Sequence, residues 1–290
     1  MASLDALLES PRATIVPGVY DALSARVAAR AGARCLYMTG FGVAGASFGV
    51  PDIGLVSSSE MIERVGVIAA ASGSIPLIAD GDNGYGGPLN AAKLTRAYER
   101  AGAACIQIED QVFPKRCGHM EDKEVIPTEE ATQKIRAAAD ARASRAFKIM
   151  ARTDARATHD LDEALRRGEA FAKAGADILF IEAPRSEAEL LRVAERFKGL
   201  PLVANLVEDG KTPLLSPREL EALGFRIILY PISALLAVTK RLEDVYDLLL
   251  REDRKRLDKS RATFTHYNEI MNLPELLAVT DRLSNPNSET

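Results

Sequence analysis

Four stretches of the chain share one pattern: AGARCLYMTG (31–40), AGAACIQIED (101–110), AGADILFIEA (174–183) and LGFRIILYPI (223–232). In each, a helix-like segment reaches a glycine and runs at once into a short apolar strand. A glycine there suits a helix C-terminus, where the chain needs a left-handed residue. Between the four lie further strand-like runs, ATIVPG (13–18), IPLIADGD (75–82), FKIMARTD (147–154) and LPLVANLVE (200–208). These runs are continuously apolar rather than alternating, as in parallel strands covered on both faces. Helical patterns fill the gaps at 21–31, 59–71, 89–101, 128–141, 162–174, 186–197, 216–223 and 233–250. Thr128–Glu129–Glu130 and Ser216–Pro217 read as helix starts. Strand and helix alternate eight times, which predicts a (β/α)₈ barrel over residues 1–250, with a doubly wound open sheet as the alternative. Residues 251–290 read as a C-terminal helical extension, with a helical pattern over Ala262–Met271 and a polar tail.

Length and composition agree with one large α/β domain. The chain has 290 residues, 47% hydrophobic and 27% charged, and barrels of this kind take about 250 residues. A net charge of −4 lacks the basic surplus of a nucleic-acid binder. No apolar run is long enough to span a membrane. The first twelve residues carry acids and no apolar signal core, so a cytoplasmic enzyme is expected. Three cysteines, Cys35, Cys105 and Cys117, form no framework of paired spacings. Cys35 and Cys105 lie in apolar strands and read as core residues. His159 reads as exposed in a polar turn.

In a parallel barrel the C-terminal strand ends converge on one face and carry the active site. Here those ends are repeatedly polar: Asp80 and Asp82, Glu109 and Asp110, Arg152 and Asp154, Glu182, Asn205 and Glu208, then Tyr230 and Ser233. Asp80 and Asp82 are two apart, so on an extended strand they would point the same way, and Glu109 comes from the next strand. Three carboxylates without histidine or cysteine companions suggest Mg²⁺, with Mn²⁺ as a substitute; a hydrogen-bonded acid cluster is the alternative. Glycines in NGYGG (83–87) are not spaced as a phosphate loop. Lys115–Arg116–Cys117–Gly118–His119 places a thiol among potential cations, which tunes its acidity, in a stretch long enough for a lid.

These residues resemble the isocitrate lyase/phosphoenolpyruvate mutase superfamily. The matching pieces run from PGVYDALSA (17–25) through YMTGFG…GVPD (37–52), ADGDNGYGG (79–87), IEDQVFPKRCGH (108–119), ARTDA (151–155), IEAP (181–184) and NLVEDGKTP (205–213) to TFTHYNEIM (263–271). KRCGH marks the lyase branches, and IEAP with NLVEDGKTP is similar to the 2,3-dimethylmalate lyase branch. Asn83 and Phe41 depart from the usual residues of the family. The resemblance implies Mg²⁺ held by Asp80, Asp82 and Glu109, some through water. It implies substrate contacts from Thr39, Gly40, Phe41, Asp52, Gly118, Glu182, Asn205 and Glu208, and a carboxylate held by Arg152. The implied reaction cleaves a 2-hydroxy dicarboxylate of the 2-alkylmalate type to pyruvate and a short carboxylate. Cys117 is the implied proton donor, with Lys115, Arg116 and His119 stabilising charge. The base is Tyr37, Glu182 or a metal-bound water. Oxaloacetate hydrolysis, 2-methylisocitrate cleavage and phosphonomutase chemistry are the alternatives. A homotetramer, a dimer of dimers that swaps its C-terminal helices, is also implied.

Overall fold

In the computed structural model of the protein, residues 3–116, 123–208, 210–253, 256 and 261–284 are described. The strands are β1 (Thr14–Val19), β2 (Leu36–Met38), β3 (Leu77–Asp80), β4 (Cys105–Glu109), β5 (Lys148–Thr153), β6 (Ile178–Ile181), β7 (Val203–Asn205) and β8 (Ile227–Tyr230). All pair in parallel, in the order β6-β5-β4-β3-β2-β1-β8-β7. A parallel bridge between Leu179 and Leu202, with Leu179 N donating to Pro201 O at 3.0 Å, joins the two ends. The architecture is the (β/α)₈ barrel and not the open sheet.

The helices are α1 (Leu4–Glu9), α2 (Ala22–Arg30), α3 (Gly40–Phe48), α4 (Ser58–Ser72), α5 (Pro88–Arg100), α6 (Thr128–Ala141), α7 (Ala155–Thr158), α8 (Leu161–Ala174), α9 (Glu187–Arg196), α10 (Pro217–Leu223), α11 (Ser233–Leu250), α12 (Phe264–Ile270) and α13 (Leu273–Ser284). The local signals are visible in their ends. Gly32, Gly102, Gly175 and Gly224, the four glycines of the repeated pattern, all have φ between 92° and 110°, a region closed to most side chains. Ser57 with Glu60 and Ser216 with Glu219 form reciprocal capping boxes at α4 and α10. Helix α6 starts at Thr128, as expected, but its cap is Pro127, without a side-chain bond, and the Thr128 hydroxyl donates to Glu163 Oε1 at 3.3 Å.

The helices α1, α3, α7 and α13 have no counterpart in the sequence reading. In α3 three glycines weaken the helical signal; Thr39 caps it by accepting from Gly42 N at 3.3 Å. Leu4 and Leu7 of α1 are buried with Val16, Cys35, Ile78, Cys105, Met150, Ile178 and Ile227 in a cluster inside the barrel. The larger core lies between the sheet and helices α2, α4, α5, α6, α8, α9 and α10. Cys35 and Cys105 are fully buried, and burial pushes the Cys35 thiol up to about 12. His159 is exposed.

Two compact units are distinguished, Met1–Leu235 and Leu236–Thr290. The first holds all eight strands. The second holds most of α11, with α12 and α13, and exposes Leu242, Tyr246, Phe264, Leu276 and Leu283. Among the described residues no helix is long and apolar enough to cross a membrane.

Candidate active site

The strand register brings the polar ends together. Asp80 lies opposite Gln107, and Glu109 opposite Arg152. Around them a cavity in the first unit is lined by Tyr37, Thr39, Phe41, Asp52, Asp80, Glu109, Lys115, Arg116, Arg152, Phe180, Asn205, Val207, Leu229, Pro231 and Ile232.

Asp80 ends β3. Its Oδ2 accepts from Gly40 N at 3.2 Å, and its Oδ1 from Asp82 N at 3.1 Å and Gln107 Nε2 at 3.2 Å. Burial, then the charge of Asp82, pushes its carboxyl up to about 6. Asp82 is not on an extended strand, as its spacing suggested. It has φ 47° and opens a turn in which Gly84 and Tyr85 are also left-handed, a conformation that stores strain in non-glycine residues. The turn is tied down at several points. Lys134 Nζ donates to Asn83 O at 3.2 Å, Asn83 Nδ2 to Gln111 O at 3.3 Å, and the Tyr85 hydroxyl to Asp82 Oδ2 at 2.5 Å.

Lys115 bridges this cluster. Its ammonium donates to Asp52 and lies 2.7 Å from Asp82 Oδ1, with all three side chains almost fully buried. Burial works against its charge, yet Asp82 and Asp52 hold it well above the ordinary lysine value. Lys115 thus serves the carboxylate cluster, where its place in KRCGH had suggested a role beside the thiol.

Three groups were expected to carry metal: Asp80, Asp82 and Glu109. Among the described residues no three histidine, cysteine or acidic side chains are grouped to hold an ion by themselves. Glu109 Oε1 is nevertheless buried without a hydrogen-bond partner, and burial raises the Glu109 carboxyl despite Arg152. The wall beside Asp80 is backbone: a Cβ on Gly40 would lie 2.7 Å from Asp80 Oδ2. An all-oxygen donor set with an unsatisfied buried carboxylate oxygen fits Mg²⁺, which keeps several of its waters and takes only one or two carboxylates directly.

The rest of the lining is cationic and apolar. Arg152 is held in a fork by Asp154, with Nε to Oδ2 at 2.9 Å and Nη2 to Oδ1 at 3.0 Å, and lies 5.0 Å over the Phe180 ring. Its Nε is 3.4 Å from Glu109 Oε2, and its Nη1 is 3.9 Å from Glu182 Oε2. Asn205 Nδ2 donates to Glu182 at 3.2 Å, while Asn205 Oδ1 is buried without a partner. Tyr37 is fully buried and donates to Gln107 Oε1 at 3.0 Å; burial, then Asp80, raises its hydroxyl well above the usual range. Glu208 is exposed and does not line the cavity. Cys117, Gly118 and His119 lie outside the described residues.

The sequence reading missed Gln107 and Phe180 as members of this site. Gln107 had a signal, as the polar residue inside the apolar strand of AGAACIQIED. Phe180 had none.

The model of the phosphoenolpyruvate phosphomutase family matches residues 4–250. This chain belongs to the phosphoenolpyruvate phosphomutase family. The 2,3-dimethylmalate lyase of Eubacterium barkeri is 44% identical over 279 residues, 96% of either chain. Among solved structures, a 2,3-dimethylmalate lyase described as a PEP mutase/isocitrate lyase superfamily member superposes with a TM-score of 0.92 at 38% identity, covering 98% of this chain and 96% of its own. An oxaloacetate acetylhydrolase with 3,3-difluorooxalacetate gives 0.90 at 33% identity, covering 96% and 95%. A phosphonopyruvate hydrolase with oxalate and Mg²⁺ gives 0.86 at 33%, covering 96% and 97%. As a member of the phosphoenolpyruvate phosphomutase family, the protein is similar to named lyases and hydrolases.

Proposed function

We propose that the protein is a Mg²⁺-dependent carbon–carbon lyase that cleaves a 2-hydroxy dicarboxylate of the 2-alkylmalate type, such as 2,3-dimethylmalate, to pyruvate and a short carboxylate. The observation that carries this reading is the mixed lining of the cavity. Lys115, Arg152, Asp80 and Glu109 line it together with the apolar Phe41, Val207, Leu229, Pro231 and Ile232. Charged groups suit the carboxylates of such an acid, and the apolar residues suit its alkyl groups. The two 2,3-dimethylmalate lyases named above support the same substrate class.

Asp80, Asp82 and Glu109 would hold the metal, which when bound supplies Lewis-acid stabilisation of charge on substrate oxygen. Arg152 would take a substrate carboxylate, for which a planar guanidinium is suited. The raised Tyr37 hydroxyl is a hydrogen-bond donor at neutral pH, which supports Glu182 over Tyr37 as the side chain that accepts the substrate hydroxyl proton. As that proton leaves, C2–O becomes a carbonyl and the C2–C3 bond breaks, its electron pair staying on C3. The Cys117 thiol would then deliver a proton to C3, closing the balance. Thr39, Gly40, Phe41, Asp52, Gly118 and Asn205 would shape the pocket, and Lys115 and His119 would stabilise charge.

The test is an NMR product assay with Mg²⁺ and a panel of dimethylmalate, citramalate, methylisocitrate, isocitrate and oxaloacetate. Pyruvate with one equivalent of a short carboxylate is the expected result. Oxalate and acetate from oxaloacetate, without pyruvate from any alkylmalate, would overturn the proposal in favour of hydrolysis. We propose further a homotetramer with exchanged C-terminal helices, supported by the exposed apolar residues of the second unit; light scattering that gives a monomer would refute it.

A further inference from the structure

Lys123 belongs to none of the groups assigned above, yet it is among the most buried charges in the molecule. Its Nζ donates to Asp154 Oδ1 at 2.7 Å, with the two side chains 2% and 0% exposed. The same Asp154 carboxylate holds Arg152 in its fork. One anion therefore joins two cations, and only Arg152 lines the cavity.

The frame around this triad is hydrogen-bonded. Lys123 directly precedes a segment paired with 110–112: Val112 N donates to Glu124 O at 2.9 Å, Ile126 N to Asp110 O at 2.9 Å, and Gln111 bridges Val125. Asp110 continues the brace. It accepts from Asp154 N at 2.9 Å, Thr153 Oγ1 at 2.6 Å and Arg167 Nη1 at 2.9 Å. Against the cost of burial, Arg152 and Lys123 hold the Asp154 carboxyl well below the usual range, so it stays an acceptor for both.

Three carboxylates compete for the Arg152 guanidinium: Asp154 in its fork, Glu109 at 3.4 Å and Glu182 at 3.9 Å. The Lys123 ammonium sits on Asp154 Oδ1 and offsets one of the three negative charges. We infer that Lys123 is a positioning residue, which acts through Asp154 to present the free edge of Arg152 to the substrate carboxylate. This rests on the proposed role of Arg152 in carboxylate binding.

The experiment is a double-mutant cycle read by calorimetric titration of oxalate, as a dicarboxylate probe, into the full-length protein with Mg²⁺. Lys123→Met should weaken oxalate by about tenfold in the wild-type background and less than about twofold in the Arg152→Lys background, the coupling expected of residues in one network. Lys123→Arg should restore most of the affinity. Equal losses in both backgrounds, or no loss, would overturn the inference. If Arg152→Lys by itself leaves oxalate binding unchanged, the role of Arg152 falls and that of Lys123 falls with it. Lys123→Gln replaces Lys123→Met in the cycle should the latter fail to fold, with the same outcomes.

Discussion

Gly18→Ala concentrates the relation between barrel packing and the site into one methyl group. Gly18 sits on β1 in register with Tyr37 of β2, and the backbone of Pro231 crosses directly over it. A Cβ there would lie 1.9 Å from Pro231 O, 2.4 Å from its carbonyl carbon and 2.8 Å from its Cα. None of these atoms is the end of a flexible side chain. An ordinary carbon–oxygen contact is about 3.3 Å, so β1 and the chain after β8 must part by roughly 1.4 Å. Overpacking of that kind costs about 1–3 kcal/mol. In a protein of this size, that lowers Tm by about 2–4 °C per kcal/mol. Pro231 and Ile232 line the cavity, so the wall facing the substrate moves as well, and a misplacement of about 1 Å can cost on the order of 10²-fold in rate. The assay pairs scanning calorimetry with pyruvate release, using Gly66→Ala as the control. A Cβ at Gly66, within α4, meets nothing within 4 Å, so that change should be neutral or stabilising by up to about 1 kcal/mol. A Gly18→Ala protein that melts within a degree of wild type and turns over within a factor of two would refute the reasoning.

Other expectations concern charge. Burial and Asp82 raise the folded Asp80 carboxyl to about 6 from the ordinary 3.8, so the stability linked to its neutral form is full below about pH 4 and lost as pH rises through 6. A bound cation favours the charged form, and the gain in Tm on adding Mg²⁺ should therefore be larger at pH 7.5 than at pH 5; equal gains would argue against Asp80 as a ligand. Lys115→Met leaves Asp52 and Asp82 buried without their cation and should cost about 3–5 kcal/mol, measured by urea unfolding, where a change under about 1 kcal/mol would count against the ion-pair bridge. Cys117→Ser should keep oxalate affinity and lower turnover by about 10² or more; near-normal turnover would remove the thiol from the mechanism.

The alternation of strand and helix, the cap at Ser216 and the four left-handed glycines were legible in the chain, because each depends on residues only a few positions apart. The polar strand ends were legible for the same reason: once the strands are parallel, their C-terminal ends must share a face. What each of those polar groups touches was not legible. Lys115 reaches Asp52, 63 residues away in sequence, and Asp82. Lys123 reaches Asp154, 31 residues away. Such pairs follow from strand register and loop path, and neither leaves a periodic signal. Asp82 faces the cluster from a left-handed turn rather than from an extended strand, since tertiary ties to Lys134, Gln111 and Glu109 N hold a strained backbone that local propensity disfavours. α3 is a helix in spite of its glycines, because Thr39 caps it and Val43 and Ala44 are buried. The sequence by itself determined the eightfold alternation of parallel strand and helix and the face on which chemistry collects, while the bridge from Leu179 to Leu202 closes the barrel. Only the tertiary structure decided which charges meet there, since burial and distance, not order along the chain, set their partners.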